Sequence, residues 1–321
     1  MRRWSHILWS CAAIAALSAC DPMAVAPPDT KPQARPDRPA ATQPLPPRAG
    51  PSEASQELAR YYARVQEDLL VRGLLRTDGG GVDTPFTDVM LARNFERIAL
   101  AEEYARGAGL RPSSGALGAI KKWTMPVRIG VTFGGSVPDD VRSTDRRTVA
   151  AYTNRLSRVS GHPISFVLSQ PNFHVLVMGE DDKAQVQAVL DRIAPGMEQS
   201  SRAIFTNLPR EIHCLVVAFS DSQSDNAYRQ AVALIRPEHP DLTRRACYHE
   251  ELAQGLGLAN DDQNARPSIF NDDEEFALLT THDELLLKIL YNPRLTPGMT
   301  ADEARPIVRR LATEVTGGGS S

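Results

Sequence analysis

The reading of this chain turns on one stretch, Cys247-Tyr248-His249-Glu250-Glu251-Leu252-Ala253-Gln254-Gly255-Leu256-Gly257-Leu258-Ala259-Asn260-Asp261. It reads as a helix with one polar face that is closed by Gly257. Glu250 and Gln254 are four positions apart and project from the same side of such a helix. Glu251 sits one step round, and Asn260, beyond the glycine, is expected to turn back toward the same point.

This order of residues resembles H-E-x-x-H-x-x-G-x-x-H, the motif of the metzincins, zinc peptidases with three histidine ligands. Glu251 and Gly257 match position for position. Glu250, Gln254 and Asn260 stand where the three histidines would. The run E-E-x-x-Q-x-x-G-x-x-N-D is also similar to that of a family of bacterial lipoproteins of unknown function. The resemblance implies a degenerate metzincin with an α+β fold: a zincin-like mixed, twisted sheet over an active-site helix, preceded by a helical N-terminal region. It spans roughly residues 123–292. Ser268-Ile269-Phe270 fall at the turn beneath the metal, with Phe270 in the methionine position, and Leu279 to Tyr291 resembles the closing helix. A second register, starting at His249-Glu250, puts Ala253 in the next ligand position, and alanine binds no metal.

The N-terminus reads as a targeting segment. Arg2 and Arg3 precede an apolar run from Ile7 to Ala19, too short to span a bilayer comfortably. The run closes on Leu17-Ser18-Ala19-Cys20, which resembles a lipobox and implies removal of residues 1–19 and lipidation of Cys20. Asp21 resembles an inner-membrane retention signal. An ordinary secretory signal that happens to contain a cysteine is the alternative. The protein is expected to face the periplasm on a lipid anchor. Net charge falls from −3 to about −5 once Arg2 and Arg3 are removed, and no basic cluster stands out, which argues against nucleic acid as a partner. Cys11 leaves with the signal and Cys20 carries lipid, so Cys214 and Cys247 remain and are expected to pair in an oxidising space. Two buried free thiols are the alternative.

Residues 20–51 hold ten prolines after Cys20 and no apolar periodicity, the composition of a solvated tether. Residues 52–120 predict a helical region, with helices over Ser52 to Leu75 and Thr84 to Arg106 separated by Gly79-Gly80-Gly81. Residues 121–292 carry the zincin-like pattern. Strands are expected at Pro126 to Phe133, Ile164 to Leu168, Asn172 to Met178 and Ile212 to Phe219, with Ala231 to Ile235 as the edge strand before Pro237. Helices are expected at Asp139 to Val159 and Gln185 to Ile193, with the motif helix capped by Asp241 or Thr243. Residues 293–321 read as a short helix and a Gly/Ser tail.

In an active metzincin three imidazoles hold zinc and the glutamate takes a proton from the bound water. Here Glu251 keeps the general-base position, but the ligands are a carboxylate and two amides, a poor set for zinc. No cofactor is expected, although zinc or another divalent ion stays open. Three readings follow. The fold persists as a non-catalytic module that binds a peptide or an envelope protein. Alternatively it is a hydrolase in which Glu250 and Glu251 form an acid/base pair. The third reading is a polar helix face matched by chance. His249 points about 100° away from Glu250 round the helix and is assigned a structural or exposed role. The run Asp272-Asp273-Glu274-Glu275 reads as a solvated face. Oligomeric state is not legible.

Overall fold

The computed structural model describes residues 50–103, 110–220, 226–271 and 273–317. The expected signal segment, Cys20 and the tether up to residue 49 lie outside these residues, as do Arg106, Asp272 and the last four residues. Alternating apolar residues build the sheet. Its strands are β1 Lys122–Trp123, β2 Val127–Phe133, β3 Ile164–Phe166, β4 Phe173–Val177, β5 Cys214–Ser220 and β6 Ala227–Ile235. They lie in the order β3-β2-β4-β6-β5, with β1 beside the first residues of β6. Every pairing is parallel except that of β5 with β6.

Both faces of the sheet are covered, as parallel pairing requires. The helices are α1 Glu53–Val71, α2 Asp88–Leu100, α3 Asp139–Ser160, α4 Lys183–Ile193, α5 Gln199–Thr206, α6 Asp241–Gln254, α7 Thr281–Leu290 and α8 Ala301–Thr316. Because side chains alternate along a strand, Phe173, Val175 and Val177 of β4 join one core with α2, α3, α6, α7 and α8. Leu176, Val232 and Leu234 face a second core with Val186, Leu190 and Phe205 of α4 and α5. The result is a mixed α/β unit with a mostly parallel sheet and an N-terminal helix, and the described residues belong to one compact unit.

The two strands before the motif helix exchange the roles expected of them. β6 is the long interior strand, bonded to β4 on one side and β5 on the other, and Ala231, Val232, Ala233 and Ile235 are fully buried. The edge is β5, half-buried from Val216 onward. Pro237 lies beyond the last residue of β6, so its missing N–H costs the ladder nothing. The helices also end earlier than periodicity suggests. α1 stops before Gly73, whose φ is +76°, and α2 stops at Leu100 because Ala101 is extended. α5 was not expected, since Gln199-Ser200-Ser201 offers little helix propensity.

The motif helix α6 is fixed at both ends. It follows Pro240, and no side chain caps it; Asp241 instead accepts a hydrogen bond from Arg244 at 2.6 Å. Arg244 and the Tyr248 hydroxyl both donate to the buried Asp145 of α3, at about 2.9 Å each. At the C-terminal end, carbonyls left without helical partners find other donors. Trp123 Nε1 donates to the Gly255 carbonyl at 2.8 Å and the Tyr291 hydroxyl to that of Leu256 at 2.8 Å. The expected disulfide is present: Cys214 at the start of β5 is bonded to Cys247 in α6, with 5.8 Å between their Cα atoms.

Candidate functional site

Gly257 makes the turn that follows the motif helix, which ends three residues earlier at Gln254 with Gly255 as its cap. The φ of Gly257 is +123°, and a Cβ there would sit 2.4 Å from the Lys121 carbonyl oxygen. Only glycine meets both conditions. The chain then turns back, but the residue it returns to the helix is not the expected one. Asn260 Nδ2 donates to the carbonyls of Arg97, at 3.1 Å, and Asp261, at 2.6 Å, while the Asn260 amide donates to Ile98 at 3.1 Å. Asn260 therefore ties the loop to the end of α2. Asp261 is the side chain that reaches Gln254, accepting from its Nε2 at 3.4 Å. The two residues are adjacent and polar, and the turn after Gly257 decides which of them points at the helix.

Glu250, Glu251 and Gln254 lie on the wall of one cleft of about 730 Å³. β5 lines the same cleft from Cys214 to Ser220, together with Tyr228, Ile204 and Ile212. Glu103, after α2, and Glu274, in the loop before α7, also line it. Neither was singled out in the sequence. Glu103 lies far from the motif along the chain, and Glu274 belongs to the acidic run read as a solvated face. Glu274 adopts φ +59°, rare outside glycine; its carbonyl accepts from Leu75 at 2.9 Å.

The electrostatics of the pair are unfavourable to two charges. Removal from water pushes the Glu250 carboxyl well above the usual carboxylate range, and Asp261, Glu251, Glu274 and Glu103 push it further. Burial does the same to Glu251, followed by Glu103 and Asp261. Glu251 is only 3% exposed, and its Oε2 is buried with no hydrogen-bond partner. A buried carboxylate oxygen without a donor is costly unless it is protonated or receives a cation.

The other site expectations separate. Ser268, Ile269 and Phe270 are buried in the core and do not line the cleft. Ser268 Oγ donates to Asp283 at 2.6 Å and the Ile269 amide to the same carboxylate at 3.1 Å. Asp283 also accepts from the amide and hydroxyl of Thr280. His249 is structural: its Nδ1 accepts from the Leu279 amide at 3.0 Å, and its ring stacks on Tyr152 at 3.9 Å. Burial lowers its pKa to about 3, so the imidazole is neutral.

The donors do not fit the zinc site that the motif resemblance implies. Cys214 Sγ and a carboxylate oxygen from each of Glu250 and Glu251 lie within 4.8 Å of one another. The sulfur is committed to the disulfide, however, and offers no thiolate. Among the described residues two carboxylates of this group remain, short of the three protein ligands of a catalytic zinc and without its nitrogen donors. Oxygen donors of this kind suit a hard divalent ion better.

Fold and site thus define a mixed α/β protein with an acidic cleft between an antiparallel edge strand and a buried helix. A family model described as "Protein of unknown function (DUF2927)" matches residues 88–310, and the chain belongs to that family. The match runs from the start of α2 into α8 and includes every residue of the motif helix. No curated protein and no solved structure matches the chain.

Proposed function

We propose that this is a non-catalytic binding module with a degenerate metzincin-like fold, holding an extended peptide or a segment of an envelope protein in the cleft beneath β5. The observation that carries the reading is β5 itself. It pairs on one side with β6 and with no second strand among the described residues, and its whole length lines the cleft. An exposed strand edge beside a pocket takes an added strand through main-chain hydrogen bonds, and the pocket then selects side chains. The antiparallel edge strand above the motif helix is also what the metzincin resemblance implies. Asn260 is directed to α2 and the histidines are replaced, which supports a reading without the catalytic zinc. The protein is proposed to be lipidated on Cys20 and to face the periplasm from a bacterial membrane.

The second reading is a hydrolase, and the pairing of the buried Glu251 with the half-buried Glu250 favours it. One protonated and one ionised carboxyl would serve as acid and base, with Glu251 as the base. The mature chain should bind fluorescently labelled extended peptides saturably and return them intact after prolonged incubation, as judged by mass spectrometry. Cleavage abolished by Glu251→Gln would establish the hydrolase instead. For the anchor, Cys20→Ser should release the protein from the membrane fraction; retention there would refute lipidation at this residue.

A further inference from the structure

We propose that the cleft selects a lysine or arginine side chain of the bound peptide, seating its cationic head between Glu250 and Glu251. This rests on reading the cleft as a peptide site and adds the class of residue it takes.

Three observations carry the inference. First, the lining holds seven glutamates and, among the described residues, no lysine or arginine. Glu102 pairs with Lys121 and Glu211 with Arg210. Second, Glu251 is more than nine-tenths buried in this wall, and its Oε2 has no hydrogen-bond donor. An ammonium group brings three donors and a guanidinium five, so either supplies what that oxygen lacks. A carboxylate oxygen of Glu250 lies within 4.8 Å of one of Glu251. A nitrogen about 2.7–2.9 Å from each can bridge that separation. Third, the approach to the pair is apolar. Val216, Ala218 and Tyr228 line the cleft and belong to the core that α6 shares, and the hydrocarbon stem of a long basic side chain packs against such surface while its head stays polar.

A metal ion fits these facts less well. The disulfide removes Cys214 from the donor set, and about 730 Å³ is far more room than an ion needs. A strand laid along β5 would send every second side chain toward the helix, so one basic residue among neutral neighbours suffices.

The test uses the full mature chain, immobilised, and a positional-scanning library of blocked pentapeptides. The central residue is fixed as lysine, arginine, norleucine, glutamine or glutamate, and retained peptides are read by mass spectrometry. The lysine and arginine sets should be retained at least about tenfold over norleucine, which is about 1.4 kcal/mol, with glutamate lowest. Glu251→Gln, shown to be folded by circular dichroism and to retain its disulfide, should erase the preference for the basic sets over norleucine. Equal retention of basic and norleucine sets would overturn this inference and leave the peptide-site reading standing. No retention of any set would overturn both. The same scan in the presence of calcium or zinc supplies a third outcome: a stoichiometric ion that basic peptides do not displace would overturn the inference in favour of a cation site.

Discussion

Glu251→Gln should stabilise the unliganded protein, and the gain should grow with pH. In the native state the Glu251 carboxyl is buried with Oε2 unpaired, and burial, Glu103 and Asp261 raise its pKa well above 4.5. Below that value the carboxyl is protonated in both native and unfolded chains, so it contributes no pH-dependent difference. As pH rises the unfolded chain releases its proton freely while the native state resists. Native stability is therefore lost progressively up to the raised folded pKa. Gln removes the charge and keeps the shape. A buried polar group without its partner costs about 1–3 kcal/mol, more when charged, and at roughly 2–4 °C per kcal/mol the gain is about 2–12 °C in Tm. Thermal melts followed by circular dichroism at pH 4.5, 6, 7.5 and 9, without added cations or peptide, read it directly. The variant should match the parent at pH 4.5 and exceed it increasingly above. A Tm lowered at every pH, or raised equally at pH 4.5 and 9, would refute the argument that Glu251 is held unpaired in a desolvated, acidic wall.

Replacing Cys214 and Cys247 by serine should cost about 2–4 kcal/mol in urea unfolding, the usual worth of a disulfide, because the bond closes a separation of 33 residues; an unchanged midpoint would contradict a bond that anchors β5 to α6. Gly257→Ala should cost at least about 1–3 kcal/mol, since φ is +123° and the new Cβ meets a backbone oxygen; an unchanged melting temperature would mean that the turn rearranges freely. Asp283→Asn should lower stability by about 1.5–3 kcal/mol, because the amide can no longer accept from Ser268, Ile269 and Thr280 together; peptide binding should survive, as Asp283 does not line the cleft.

What could be read along the chain was whatever depends on local spacing. Glu250 and Gln254 share a helix face because four residues make about one turn, and Gly257 marks the turn after the helix because its backbone there demands glycine. The Cys214–Cys247 pairing followed from compartment and count. What could not be read depends on contacts distant in sequence. Apolar runs mark Cys214–Ser220 and Ala227–Ile235 as strands but do not say which is paired on both sides. Asn260 and Asp261 differ by one position, and the left-handed turn between them and α6 sends Asn260 to α2 and Asp261 to Gln254. Glu103 and Glu274 reach the cleft from the segment after α2 and from the loop before α7, far from the motif along the chain. The acidity of the site is therefore a property of the folded chain, assembled from segments far apart in sequence.

The central claim is that β5 receives an added strand, and amide hydrogen exchange tests it most directly. Exchange of residues 214–220 should slow at alternate amides when a basic pentapeptide is present in excess, while the amides of β6, already paired on both sides, stay unchanged. Bound peptide with no added protection in β5 would contradict the account and place the peptide elsewhere on the protein.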